Sequence, residues 1–269
     1  MLICLKHRYP FRLATTSFIH RSGYCENVSS LAPFVDEIEL LFLERDHLPS
    51  QQEIRDLKRL GHELDITYNV HLPMDISLAH PSPEIRRRSI EAVLEALALA
   101  APLNATGHVL HLTFEEADTD EHAIRQWQRT AVKSLSQLLN RAPDALGSLC
   151  VETLNFPPRW LWPVVEPLNL AVCVDVGHVI HHGYDLQDTL NLFNRHIGMF
   201  HLHGVSGGQD HCALNHLQVD TLDMVARFLL QFDGSVSLEV FSYQDLEDSM
   251  ACFNDMTTRL SGRSSGHIS

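Results

Sequence analysis

Short apolar runs rich in β-branched residues alternate along this chain with stretches of helical period. The runs span Arg12–Ile19, Glu37–Leu43, Ile66–Leu72, Gly107–Thr113, Ser148–Leu154, Leu170–Val176, Gly198–Leu202 and Ser235–Phe241. Each has the length of a buried strand. Between them the pattern predicts helices over Gln51–Leu64, Pro83–Ala101, Asp120–Asn140, Arg159–Leu168, Asp185–Arg195, Gln218–Phe232 and Tyr243–Leu260, with a shorter connection around Glu26–Phe34. Ser50 followed by Glu53 has the form of a capping box. Ser82-Pro83-Glu84 puts proline at the first helical position. Gly61 softens the end of its helix.

Strands that alternate with helices imply parallel pairing through helical crossovers. Eight such units in 269 residues fit an α/β architecture, the (β/α)8 TIM barrel, which takes about 250 residues. A doubly wound open sheet is the alternative, but no GxGxxG follows the first strand. The interior holds no Gly/Ser/Pro-rich linker, so residues 1–269 are expected to form a single barrel domain. Ser261–Ser269 reads as a polar, disordered tail.

Composition narrows the function. The net charge of −14, with 20 Lys and Arg against 34 Asp and Glu, argues against a nucleic acid partner. Met1–Pro10 lacks the apolar core of a signal peptide. The longest apolar helix, near Ala92–Pro102, is interrupted by Glu95 and is too short to span a bilayer. A cytoplasmic protein with no membrane partner is expected. The six cysteines show no CxxC spacing and read as reduced, mostly buried thiols. The 18 histidines are well above ordinary usage.

Barrel enzymes carry their active sites at the C-terminal ends of the strands. The third to eighth runs end in His71, His111, Glu152, Asp175 (then His178), His201 (with His203) and Glu239. One His or Glu at a strand end is ordinary. Six consecutive strand ends of this kind point to a metal centre. Two carboxylates about 5 Å apart repel by roughly 3 kcal/mol at an effective dielectric of about 20. Divalent ions remove that conflict for Glu152, Asp175 and Glu239, and a mixed imidazole–carboxylate set suits zinc, manganese or iron. The loop Gly207-Gly208-Gln209-Asp210-His211 can bring Asp210 and His211 over the mouth. Thr16, Glu44 and His203 are candidates for contacting substrate, and Asp75 and Asn155 are second-tier polar groups. His108, His181 and His182 read as structural or rim residues.

This set of strand ends resembles the xylose-isomerase-like barrel superfamily, which includes endonuclease IV and many sugar isomerases and epimerases. The endonuclease IV pattern matches His71, His111, Glu152, Asp175 with His178, His201, Asp210 with His211, and Glu239. One departure concerns the loop pair: the family spaces it Asp-x-His, whereas Asp210 and His211 are adjacent. Four stretches are more specific: Pro10–Ile19, Val35–Glu44, Val70–Asp75 and Phe200–Val205. They resemble the cobamide-remodelling phosphodiesterase (CbiR) group, whose members hydrolyse the phosphoribosyl bond in the nucleotide loop of cobamides. The resemblance implies a hydrolase with two or three divalent ions, zinc first, and a small-molecule corrinoid substrate. Glu152 would bridge an ion held by His71 and His111 to one held by Asp175, His201 and Glu239. A third would lie on His178 and His211, with Asp210 the least secure ligand. Glu152 and Glu239 are the expected catalytic residues. In the competing expectation, a sugar isomerase or epimerase with one ion, these two glutamates form an acid/base pair. Abasic-site DNA repair is disfavoured by the charge, and a non-catalytic metal or corrinoid carrier would need a closed metal shell.

Overall fold

The computed structural model describes residues 1–115 and 119–264 of the chain. Eight parallel strands close into a barrel: β1 (Arg12–Thr16), β2 (Glu37–Leu41), β3 (Thr67–His71), β4 (His108–Leu110), β5 (Leu149–Glu152), β6 (Ala171–Asp175), β7 (Ile197–Leu202) and β10 (Ser235–Leu238). They follow chain order around the barrel, and β10 closes onto β1 with Ala14 level with Ser237. This is the predicted (β/α)8 fold. A hairpin of β8 (Gly204–Ser206) and β9 (Gln209–Cys212) is inserted between β7 and β10. The helices are α1 (Tyr24–Leu31), α2 (Gln51–Glu63), α3 (Pro83–Ala100), α4 (Glu121–Arg141), α5 (Trp162–Val165), α6 (Val176–His181), α7 (Leu186–Phe193), α8 (Val219–Leu229) and α9 (Tyr243–Ser264).

Side chains alternate across each strand. Leu40, Val70, Leu110, Val151, Val174, Phe200 and Val236 join the helices in one large core. Val109, Cys150, Cys173 and Met199 form a separate apolar cluster, the inward face of β4 to β7. The opposite arc of the interior is polar. There the buried Glu37 accepts from Thr67 Oγ1 (3.0 Å) and Asn69 Nδ2 (2.8 Å) and pairs with Arg12 (3.3 Å). The strand ends that carry candidate chemistry stand above this packed floor.

Local signals explain the helix starts. Ser50 and Glu53 make the reciprocal capping box of α2, and Pro83 opens α3. The expected helix Arg159–Leu168 instead breaks into a 3-10 turn at Pro158–Trp160, the four-residue α5 and a second turn at Glu166–Leu168. Pro158, Pro163 and Pro167 each remove a backbone donor, so no continuous ladder forms. The last helix runs on to Ser264, past the start of the expected tail, and residues 265–269 lie outside those described. No helix among the described residues is long and apolar enough to cross a membrane. All six cysteines are unpaired, with Cys150 and Cys173 buried.

Candidate metal centre

Three groups of potential ligand atoms converge at the C-terminal mouth, each group with its atoms within 4.8 Å of one another. The first is His71, His111 and Glu152. The second is Glu152, Asp175, His201 and Glu239. The third is His178, His203 and His211. Glu152 belongs to two of them. Its Oε2 lies 2.8 Å from His111 Nε2 and 3.4 Å from His71 Nε2, while Oε1 lies 3.5 Å from His201 Nδ1 and 3.4 Å from His178 Nδ1.

Backbone carbonyls set the tautomers. His71 Nδ1 is 2.9 Å from the Leu72 carbonyl, so this nitrogen donates and Nε2 turns its lone pair to the first group. The two Nε2 atoms of His71 and His111 are only 3.1 Å apart beside the Glu152 oxygen. His178 Nδ1 faces the Thr153 carbonyl at 3.3 Å, and His211 Nδ1 faces the Glu239 carbonyl at 3.2 Å. Both therefore present Nε2 to the third group.

The second group supplies a test of fit. Glu152 Oε1, His201 Nδ1 and Glu239 Oε2 are buried, and none has a hydrogen-bond partner. His201 Nδ1 is 3.0 Å from Glu239 Oε2 and 3.9 Å from Asp175 Oδ2, close enough for contact but without hydrogen-bond geometry. An orphaned buried polar atom costs about 1–3 kcal/mol. A divalent cation would satisfy all three at once. One imidazole and three carboxylates suit zinc, manganese or iron, so the residues fit such an ion.

Protons stand in for metal charge when the groups are empty of cations. Burial opposes ionisation of Glu152, but His111 and His201 outweigh it and hold its pKa well below the usual carboxylate value. Burial likewise opposes ionisation of Asp175, and His203 and His178 lower its pKa. Burial disfavours charge on His178 as well, yet Asp175 and Glu152 push it up to about 10. His201 is raised well above its ordinary value: burial opposes this, while Cys173, Glu239, Glu39 and Glu152 drive it.

The hairpin explains the loop. Gly207 and Gly208 have φ of 59° and 79°, the two positive values that a tight two-residue hairpin turn requires. The turn folds β9 back so that His211 lies over the mouth, its ring 4.2 Å from that of His203. His211 itself has φ of 51°, a left-handed conformation that costs of order 1–3 kcal/mol outside glycine. The left-handed His211 interrupts the strand alternation of β9, whose register with β8 is irregular, and the neighbouring Asp210 also approaches the third group. Its Oδ2 stays 3.8 Å from His178 Nε2, partly exposed.

Two of the three expected substrate contacts, His203 and Thr16, are corrected. His203 is fully buried: Nδ1 accepts from the His211 amide (2.9 Å) and Nε2 is committed to Asp175 (3.1 Å). It is a strut between Asp175 and the hairpin, closed to substrate and with no free lone pair. Thr16 is buried too, its hydroxyl donating to the Val240 carbonyl at 2.9 Å. Glu44 is exposed and pairs with His47 at 2.7 Å on the surface. Among the second-tier groups, Asp75 pairs with Arg45 at 3.0 Å, and Asn155 is exposed. His108 is structural, bonded to Ser148 (3.0 Å), with burial pushing its pKa down to about 4.

One buried acid at the centre does not stand at a strand end. Glu39 has Oε1 3.0 Å from His201 Nε2. It sits mid-strand, two residues after Glu37. The signal in the sequence was that spacing, since two glutamates at i and i+2 in a buried strand must share the inner face.

A family model for the xylose isomerase-like TIM barrel matches residues 35–256. The chain belongs to this family. Its curated relatives include a probable endonuclease 4 of Methanosphaerula palustris, 29% identical over 153 residues, and one of Aquifex aeolicus, 23% identical over 128 residues. The matches cover 50% and 44% of this chain and 52% and 44% of those proteins, so the chain spans about half the length of the curated relatives it matches. Among solved structures, a D-tagatose 3-epimerase-like protein superposes with a TM-score of 0.78 at 19% identity, covering 94% of this chain and 100% of that one. A Thermus thermophilus protein soaked with zinc chloride gives 0.72 at 24% identity, covering 93% and 98%. These likenesses establish the barrel, and within the family they include both nuclease-named and epimerase-named proteins.

Proposed function

We propose that this chain is a metal-dependent phosphodiesterase that cleaves the phosphoribosyl bond in the nucleotide loop of cobamides, releasing a cobinamide phosphate and an α-ribazole-type nucleoside. The observation that carries the hydrolase assignment is the third group. An enzyme working through one ion on Glu152, Asp175, His201 and Glu239 has no need of His178 and His211, locked by carbonyls with Nε2 free over the same mouth. The cobamide assignment is supported by the Pro10–Ile19, Val35–Glu44, Val70–Asp75 and Phe200–Val205 stretches and by a charge of −14, which opposes DNA as substrate.

The residues divide the work. Glu152 offers one oxygen to the His71–His111 pair and the other to the Asp175–His201–Glu239 set. Two or three divalent ions, zinc first and manganese or iron next, would supply Lewis acidity and a water acidified toward neutral pH. His203 holds Asp175, and Asp175 in turn accepts from the His178 amide at 2.7 Å, fixing the imidazole over the mouth. The second reading is a sugar epimerase. It is favoured by Glu152 and Glu239, which approach His201 Nδ1 at 3.5 and 3.0 Å and so lie around one point.

Incubation of zinc-loaded protein with a cobamide, followed by chromatography for a released ribazole, tests the proposal. Cleavage with two or three zinc ions per chain is expected. An intact cobamide, together with ketose epimerisation by a one-ion protein, would replace it with the second reading.

A further inference from the structure

We propose that Glu39 is the positioning residue of the central ion: it fixes the His201 ring so that Nδ1 is presented as a ligand. The inference rests on the metal reading of the Glu152–Asp175–His201–Glu239 group.

Glu39 is fully buried, and so is His201. Glu39 Oε1 lies 3.0 Å from His201 Nε2, in contact though without hydrogen-bond geometry, and neither buried atom has any other partner. Its other oxygen accepts from Ser237 Oγ at 2.6 Å. Ser237 is the register partner of His201 across β10 and β7. The acid reaches them from β2, on the far side of β1. On the intervening β1, Ala14 is level with Ser237 and Thr16 with Glu39. Ser237 thus aims the carboxylate, and the carboxylate meets the imidazole on the edge away from Glu152, Asp175 and Glu239.

The consequence follows from imidazole chemistry. A neutral ring has one donor and one acceptor nitrogen. A carboxylate at Nε2 keeps the proton there and leaves the lone pair on Nδ1, the atom 3.0 Å from Glu239 and 3.5 Å from Glu152. A carboxylate behind a ligating histidine also raises its basicity, and loss of such a partner costs about 10–100-fold in metal affinity. His71, His178 and His211 achieve the same orientation with backbone carbonyls. His201 differs in that the acid behind it, Glu39, lies outside every group of candidate ligands, so its affinity is open to change by a substitution that removes no ligand.

The test is a zinc titration of the full chain against a chromophoric chelator, resolving the sites, for wild type, Glu39→Gln, Glu39→Ala and Ser237→Ala. The two Glu39 variants are expected to bind the central zinc about 10–100-fold more weakly. Ser237→Ala should lose affinity in the same direction by a smaller factor. Zinc on His178 and His211 should be unchanged. Cobalt substitution adds a second readout, a shifted visible spectrum in Glu39→Gln. If wild type binds zinc centrally and both Glu39 variants match it, with only the metal-free melting temperature altered, Glu39 is a buried ion pair and the inference fails alone. If wild type takes up no zinc, the metal reading fails and takes the inference with it. Should the Glu39 variants not fold, Ser237→Ala decides: unchanged central affinity overturns the proposal.

Discussion

Glu152 Oε2 stands 2.8 Å from His111 Nε2 while the opposite oxygen of the same carboxylate belongs to a second cluster around His201. One side chain therefore couples two groups of candidate ligands. Glu152→Gln keeps the volume and removes the negative charge from both. Turnover should fall to background, and zinc retained after dialysis should drop by more than one ion per chain. Circular dichroism should show an intact fold. An active Glu152→Gln protein would refute the bridging role.

Gly177 is needed for the approach of His203. A Cβ built there would sit 2.0 Å from the His203 ring. Gly177→Ala must displace the ring, and with it the bonds to Asp175 and to the His211 amide. Overpacking of this kind costs about 1–3 kcal/mol. A lowered melting temperature and weaker zinc binding by the His178–His211 pair are expected together. A wild-type zinc profile would show that His203 does not support the site.

His211 can be removed without touching the first group. His211→Ala should lower the zinc content by one ion per chain as measured by atomic emission, leaving the His71–His111–Glu152 ion in place. Asp210→Ala should have a smaller effect, because its carboxylate stays 3.8 Å from His178 Nε2 and is partly exposed. Equal losses from Asp210→Ala and His211→Ala would restore Asp210 as a full ligand.

The metal-free protein should show a sharp pH dependence. His178 is raised from 6.5 to about 10 in the folded state. Its contribution to stability is complete below pH 6.5 and is lost as pH rises through 10. Glu152 and Asp175 are lowered from 4.5 and 3.8, so theirs is present above those values and is lost as pH falls. The metal-free melting temperature should peak between about pH 4.5 and 6.5. Zinc must displace the His178 proton, so its affinity should rise with pH across 6.5 to 10. A melting temperature that climbs from pH 6.5 to 9 without metal would contradict this assignment of charges.

Much was legible from the chain alone because it depends on short-range period and on position along a strand. Alternating runs and amphipathic segments determined the barrel, and the ends of those runs determined the face on which His71, His111, Glu152, Asp175, His201 and Glu239 meet. Proline spacing could also have announced the broken Arg159–Leu168 segment. What only the tertiary structure decided involves contacts across strands distant in sequence. Glu39 reaches across β1 to His201, a relation set by barrel register. His203 turns from a candidate substrate contact into a strut because Asp175 and the His211 amide occupy both its nitrogens. Asp210 and His211 both reach His178 because the Gly207–Gly208 turn folds β9 back over the mouth, where the left-handed His211 interrupts the strand alternation. A sequence states which side chains stand at the mouth. Which nitrogen of each imidazole is free there is set by partners that only folding brings within about 3 Å.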